Sequence, residues 1–117
     1  PMSPGWLVSA DRRLTLTEPV FTYNGAIMLS IGDAAAFAGG RVVDMEDNDA
    51  VVIQGSGIVL EMIKGSSDAY LNDKLKKMPA PALVFDGVCY VPLDTVLESC
   101  GLARMTIDNI QLIYPVK

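Results

Sequence analysis

The chain contains no histidine. That absence removes the commonest general base, the Ser-His-Asp and Cys-His nucleophile systems, and every metal site that needs imidazole. Its two cysteines, Cys89 and Cys100, are too few for a four-thiolate zinc site. Basic residues are scarce: Lys and Arg number 9 against 14 Asp and Glu, a net charge of −5. A surface of that sign repels phosphate backbones and anionic lipid, so no nucleic acid is expected as partner, whereas cations or a basic partner suit it. No apolar run approaches the roughly 20 residues of a membrane span, so no transmembrane segment is expected. No signal peptide is visible. The opening Pro1-Met2-Ser3-Pro4 is not a natural start and reads as an expression remnant or as the cut edge of a longer precursor; a signal peptide already removed is the expectation, with a removed anchor as the alternative.

What is present is apolar material spread along the chain, 50 % of 117 residues. That is enough for one core and one domain. Residues 1–13 read as a lead-in, with Trp6 to Ala10 as a short strand, and 14–117 as a single domain. Leu14 to Thr17 alternates with the period of a half-buried strand. Val20 to Tyr23 and Ala26 to Leu29 flank Asn24-Gly25, a strong hairpin signal. A helix follows over Ser30–Gly39, with Ser30 or Asp33 as its cap. Arg41 to Met45 and Ala50 to Gln54 then pair around an acidic turn. Ile58 to Ile63, Ala69 to Leu71 and Lys74 to Met78 supply further strands. Pro79-Ala80-Pro81 is an extended connector. The stretch from Pro81 to Gly101 repeats the earlier plan: a hairpin turning at Asp86-Gly87, Pro92 ending its second strand, and a helix over Leu93–Gly101 capped by Asp94 or Thr95.

Shifting the first stretch by 62 places aligns it with the second without a gap: Pro19 falls on Pro81, Gly25 on Gly87, Leu29 on Val91, Gly39 on Gly101 and Met45 on Ile107. The matches are turn glycines, helix ends and core positions, which an internal repeat must keep. The expected fold is α+β. Two pseudo-repeated β-hairpin–helix–β units (19–54 and 81–115) pack short helices on a twisted antiparallel sheet. Ile31, Ala35 and Phe37 face the core from one helix, and Leu93, Val96, Leu97 and Cys100 from the other.

The residues Phe85-Asp86-Gly87, Tyr90-Val91-Pro92-Leu93 and Gly101 resemble the copper amine oxidase N-terminal-like domain, or stalk domain, found in secreted and cell-envelope proteins of Gram-positive bacteria. The resemblance runs from about Leu14 to Pro115. It departs at Ser30, where the family has Pro, and at Gly32 and Asp94, where it usually has Arg. It departs again at Met45 and Ile107, where it often has Trp. The resemblance implies a non-catalytic module separate from any copper-bearing catalytic domain, joined to other domains or to copies of itself.

Four groups of residues invite a functional reading. Asp44, Glu46, Asp47 and Asp49 offer hard oxygen ligands for Ca²⁺, though without EF-hand spacing, and turn chemistry alone accounts for them. Cys89 and Cys100 either form a disulfide or lie as two buried thiols; their counterparts Ile27 and Ala38 are apolar, which favours thiols. Among the aromatics Trp6, Tyr23, Tyr70, Tyr90 and Tyr114, the set Tyr23, Tyr70 and Tyr90 is the candidate ligand platform. Lys74, Lys76 and Lys77 read as a protected edge strand. Asp94 and Glu98, four apart on a helix, have the spacing of a solvated face and name no catalytic pair. The expectation is a non-enzymatic, extracytoplasmic structural or binding module without a cofactor. Its partners are other domains of its parent protein or cell-wall glycan or peptide. Self-association into a homo-oligomer is the further alternative.

Overall fold

The structure, a computed structural model, describes residues 6–9, 12–13, 16–45, 49–55, 57–108 and 110–116. Among these residues the order is β1 (Trp6–Ser9), β2 (Arg12–Arg13), β3 (Phe21–Tyr23), β4 (Ala26–Ser30), α1 (Ile31–Ala38), β5 (Arg41–Met45), β6 (Ala50–Gly55) and β7 (Ile58–Ile63). There follow β8 (Asp68–Leu71), β9 (Lys74–Lys77), β10 (Leu83–Phe85), β11 (Val88–Pro92), α2 (Leu93–Ser99), β12 (Leu102–Ile107) and β13 (Ile110–Pro115). The chain is thus mostly antiparallel sheet with two short helices, an α+β domain.

The strands divide into three sheets, in the orders β10-β11-β4-β3, β12-β13-β1-β2 and β5-β6-β7-β8-β9. A single twisted sheet was the expectation from sequence; α1 and α2 each carry the chain out of the sheet β10-β11-β4-β3, and the loops after β2 and β9 carry it in. β1, within the stretch read as a lead-in, lies parallel to β13. The strand expected over Leu14 to Thr17 is not formed at Leu16 and Thr17, while Leu14 and Thr15 lie outside the described residues. Thr17 is held instead by a side chain: the Asp33 carboxylate accepts from the Thr17 N–H at 3.1 Å and from its hydroxyl at 3.0 Å.

The hairpins β3–β4 and β10–β11 turn as their sequences demand. Asn24 and Gly25 have φ of 51° and 80°, and Asp86 and Gly87 have 54° and 81°. A two-residue turn with both φ values positive matches the twist of the flanking strands, and Asx-Gly reaches it at least cost. β4 and β11 then pair antiparallel, with Leu29 opposite Val91, Met28 opposite Pro92 and Ser30 opposite Tyr90.

Each helix begins where its strand ends. Ser30 caps α1, its hydroxyl accepting from the Asp33 N–H at 3.2 Å. Gly39 closes it with φ 63°. The next residue must also be small: a Cβ on Gly40 would lie 1.9 Å from the Gln54 carbonyl oxygen. α2 departs from expectation. Its N-cap is Pro92, with no side-chain capping bond. Asp94 lies two positions past the cap, and its carboxylate is drawn across to Arg104.

The helices cover one face of the first sheet and touch each other. Leu29, Val91, Leu93, Val96, Leu97, Ala34 and Ala35 join Val51, Ile53, Leu60 and Met62 in the main core, with Ile31, Phe37, Cys89 and Cys100 packed partly buried at its edge. A second, smaller apolar cluster lies elsewhere, formed by Ala26, Met28, Ala80 and Tyr90.

Candidate functional site

The second cluster marks the outer face of the sheet β10-β11-β4-β3. Side chains alternate along a strand, and directly paired residues share a face. The register therefore places Ile27, Leu29, Cys89 and Val91 on the helix side, and Phe21, Tyr23, Ala26, Met28, Leu83, Phe85, Val88 and Tyr90 on the other. Both faces are apolar. A half-solvated antiparallel sheet normally alternates apolar-in and polar-out.

Aromatic rings organise the outer face. Phe21 meets Tyr90 edge-on, with ring centroids 4.8 Å apart, and lies 6.5 Å from Phe85. β3 and β10 are the two edges of the sheet, three strand spacings apart, or about 14 Å if the sheet were flat. Their rings meet because the sheet twists and the side chains lean inward over Met28 and Tyr90. The centre of this side is buried, with Ala80 from the Pro79-Ala80-Pro81 connector packed in the cluster with Met28 and Tyr90, while Phe85 and Tyr23 at its rim stay 66 % and 40 % exposed.

Two of the three tyrosines singled out from sequence share this face. Tyr23 lies at its rim beside the Asn24-Gly25 turn. Tyr90 is 6 % exposed, so its ring is part of the floor, and burial pushes its phenol above the usual tyrosine pKa, helped by Glu18, Asp86 and Asp33. Tyr70 belongs to β8 in the five-stranded sheet, opposite Glu61 and Leu75, and is not brought to the face. Phe21 and Phe85 were missed as site residues. The available signal was the i, i+2 pattern of Phe21/Tyr23 and Leu83/Phe85, which puts a large apolar pair on one face of each edge strand.

The other groups do not assemble a site. Glu46 and Asp47, with the Asp44 side chain, lie outside the described residues, and Asp49 is an exposed turn residue with φ 55°. Among the described residues no group of three or more His, Cys, Asp or Glu is placed to hold a metal ion. Cys89 and Cys100 are half-buried and not joined in a disulfide, and burial raises the pKa of Cys100. Lys77 pairs with Asp68 beside it on the hairpin β8–β9, and this hydrogen bond and charge raise its pKa.

A cavity of about 390 Å³ opens between α2 and β12, lined by Asp94, Leu97, Glu98, Leu102, Ala103 and Arg104. Arg104 donates to both Asp94 oxygens at 2.6 and 3.1 Å, and to Gln111 Oε1 at 2.7 Å. Thr106 donates to the same Gln111 oxygen at 3.0 Å. The guanidinium is committed to a structural bridge from helix to sheet. Asp94 is therefore more than part of a solvated face, which ten residues of separation concealed from sequence.

The described residues form a small sheet domain with helices on one face of the sheet β10-β11-β4-β3 and aromatic rings on the other. In the comparison with known families, the Copper amine oxidase N-terminal domain matches residues 8–111. The chain belongs to that family, whose members are accessory, non-catalytic domains of copper amine oxidase-like proteins. No curated protein and no solved structure matches it. The chain has no histidine, so its own residues cannot build an imidazole copper site.

Proposed function

We propose that this domain is an extracytoplasmic binding module and that the outer face of the sheet β10-β11-β4-β3 is its binding surface. The observation that carries the reading is a sheet apolar on both sides, with helices on one and two largely exposed rings, Phe85 and Tyr23, on the other. Such rings stack on apolar sugar faces or cover peptide side chains. Membership of an accessory-domain family supports a binding rather than a chemical role. The test is pulldown with insoluble peptidoglycan. The unmodified protein is expected in the pellet, and the variant carrying Tyr23→Ala and Phe85→Ala in the supernatant. Equal retention of both removes the aromatic face from the account.

The same proposal includes the duplicated architecture. Its support is the 62-residue offset, which carries Phe21–Tyr23 onto Leu83–Phe85 and Ala26–Ser30 onto Val88–Pro92. The register adds to it. Leu29 pairs with Val91, its own counterpart under that offset, so an approximate two-fold axis passes between them.

Self-association is a second reading, favoured by one observation. Met105, Ile107 and Ile110 share the face of β12–β13 away from Arg104 and are 45 %, 51 % and 40 % exposed. Light scattering across a concentration series distinguishes a monomer from an assembly built on that face.

A further inference from the structure

The aromatic face has an edge and a charge that narrow what it takes. β10 ends its sheet. The chain's own Lys64–Ser66 segment bridges only the approach to it: Gly65 donates to the Ala82 carbonyl at 2.6 Å, and Ala82 donates to Ser66 at 3.3 Å. Beyond Ala82 no strand among the described residues adjoins Leu83–Phe85; since ladder pairs alternate and the two-residue turn closes on Phe85–Val88, the outward backbone groups of β10 are the Val84 N–H and C=O, which suit an added strand. A neutral glycan makes no use of such an edge. An extended peptide does, and every second side chain of that peptide would project over Phe85 and its neighbours.

Acidic groups stand at the turn end of the face, while Lys64 lies at its other end, bridged to Ala82. Asp86 follows Phe85 directly in the turn, exposed, at φ 54°. Glu18 stands on the loop that Asp33 fastens to α1. Glu18 and Asp86 both act on Tyr90 from this neighbourhood, whereas Asp33 is buried with its carboxylate taken up by Thr17 and Glu18. Aromatic faces attract ammonium and guanidinium groups through the ring quadrupole, and neighbouring carboxylates reinforce that attraction.

We infer that the binding face receives an extended, lysine- or arginine-bearing peptide segment of another protein, laid along β10 as an added strand with its cationic side chains over Phe85 and beside Asp86. This rests on the reading of the outer face as the binding surface and specifies its partner.

The probe is the blocked peptide Lys-Val-Lys-Val-Lys-Val, titrated into the intact domain by calorimetry. Its Glu-Val counterpart and chitohexaose serve as parallel arms. The lysine peptide is expected to bind and the glutamate peptide to bind at least tenfold more weakly. Phe85→Ala should weaken the lysine peptide tenfold or more. Asp86→Asn, which keeps a residue tolerant of positive φ while removing the charge, should weaken it severalfold and flatten its salt dependence. Phe85 is exposed, so both variants are expected to melt as the unmodified domain does. Equal binding of the two peptides, or affinity unmoved by Phe85→Ala, overturns the inference. Chitohexaose binding lost in Phe85→Ala, with no peptide binding, overturns it while the binding face stands. Heat in no arm, together with equal retention on peptidoglycan, removes both.

Discussion

Asp33 is 5 % exposed and joins two parts of the chain. Its N–H receives the Ser30 cap, and its carboxylate accepts from Thr17 and Glu18. The sequence shows Ser30-x-x-Asp33 and so makes the cap legible. The partner loop, 15 and 16 residues upstream, is a tertiary contact that no local pattern announces. Asp33→Ala leaves two backbone N–H groups without their acceptor and is expected to cost about 1–2 kcal/mol, since the bonds are part-buried. Asp33→Asn keeps one acceptor oxygen and should cost less. Thermal melts check the order of the two, and equal midpoints would contradict the latch. Tyr90 sets a different dependence. Its folded pKa lies above the unfolded one. Its contribution is therefore complete below the ordinary tyrosine value and is lost as pH rises through that value towards the folded one. Stability of the unmodified domain is expected to fall faster above pH ~10 than that of Tyr90→Phe. Denaturant midpoints measured between neutral and alkaline pH decide it.

At the scale of elements, turns and helix ends are the most legible part of this chain, because their chemistry is local. Asn24-Gly25 and Asp86-Gly87 place the hairpins, and Gly39 closes α1. The N-terminus of α2 was not legible. Asp94 and Thr95 are both acceptable caps by composition, yet the chain enters the helix from Pro92, and Asp94 is claimed by Arg104. Gly32 and Gly40 of the α1 region differ for spatial reasons. A Cβ on Gly40 meets the Gln54 carbonyl at 1.9 Å, whereas one on Gly32 meets nothing within 4 Å. Gly40→Ala should destabilise by about 1–3 kcal/mol through overpacking. Gly32→Ala, within the helix, should stabilise by about 0.5–1 kcal/mol. Parallel denaturant titrations of the two variants test the pairing of α1 against β6; changes of the same sign would contradict it.

At the scale of the molecule, an α+β domain of short helices on antiparallel strands was readable from alternation, turns and caps. Its division into three sheets was not, because which hairpin pairs with which is settled by packing. The parallel pairing of β1 with β13 spans nearly the whole chain. The binding face follows the same division. Period-two patterning shows that Phe21 shares a face with Tyr23, and Leu83 with Phe85. Only the antiparallel pairing of β4 with β11 brings those strands into one sheet and their rings to one side. The tyrosines chosen by residue type scattered accordingly, with Tyr23 at the rim, Tyr90 in the floor and Tyr70 on another sheet.

The central claim is that this outer face contacts the ligand. Amide chemical-shift mapping with the Lys-Val peptide and, in parallel, with soluble peptidoglycan fragments tests it most directly. The account expects perturbed amides to cluster over Phe21–Tyr23 and Leu83–Val88 on the aromatic side, with Ile107 and Ile110 unmoved. Shifts centred on β12–β13 with either ligand, or none with both at saturation, would contradict it.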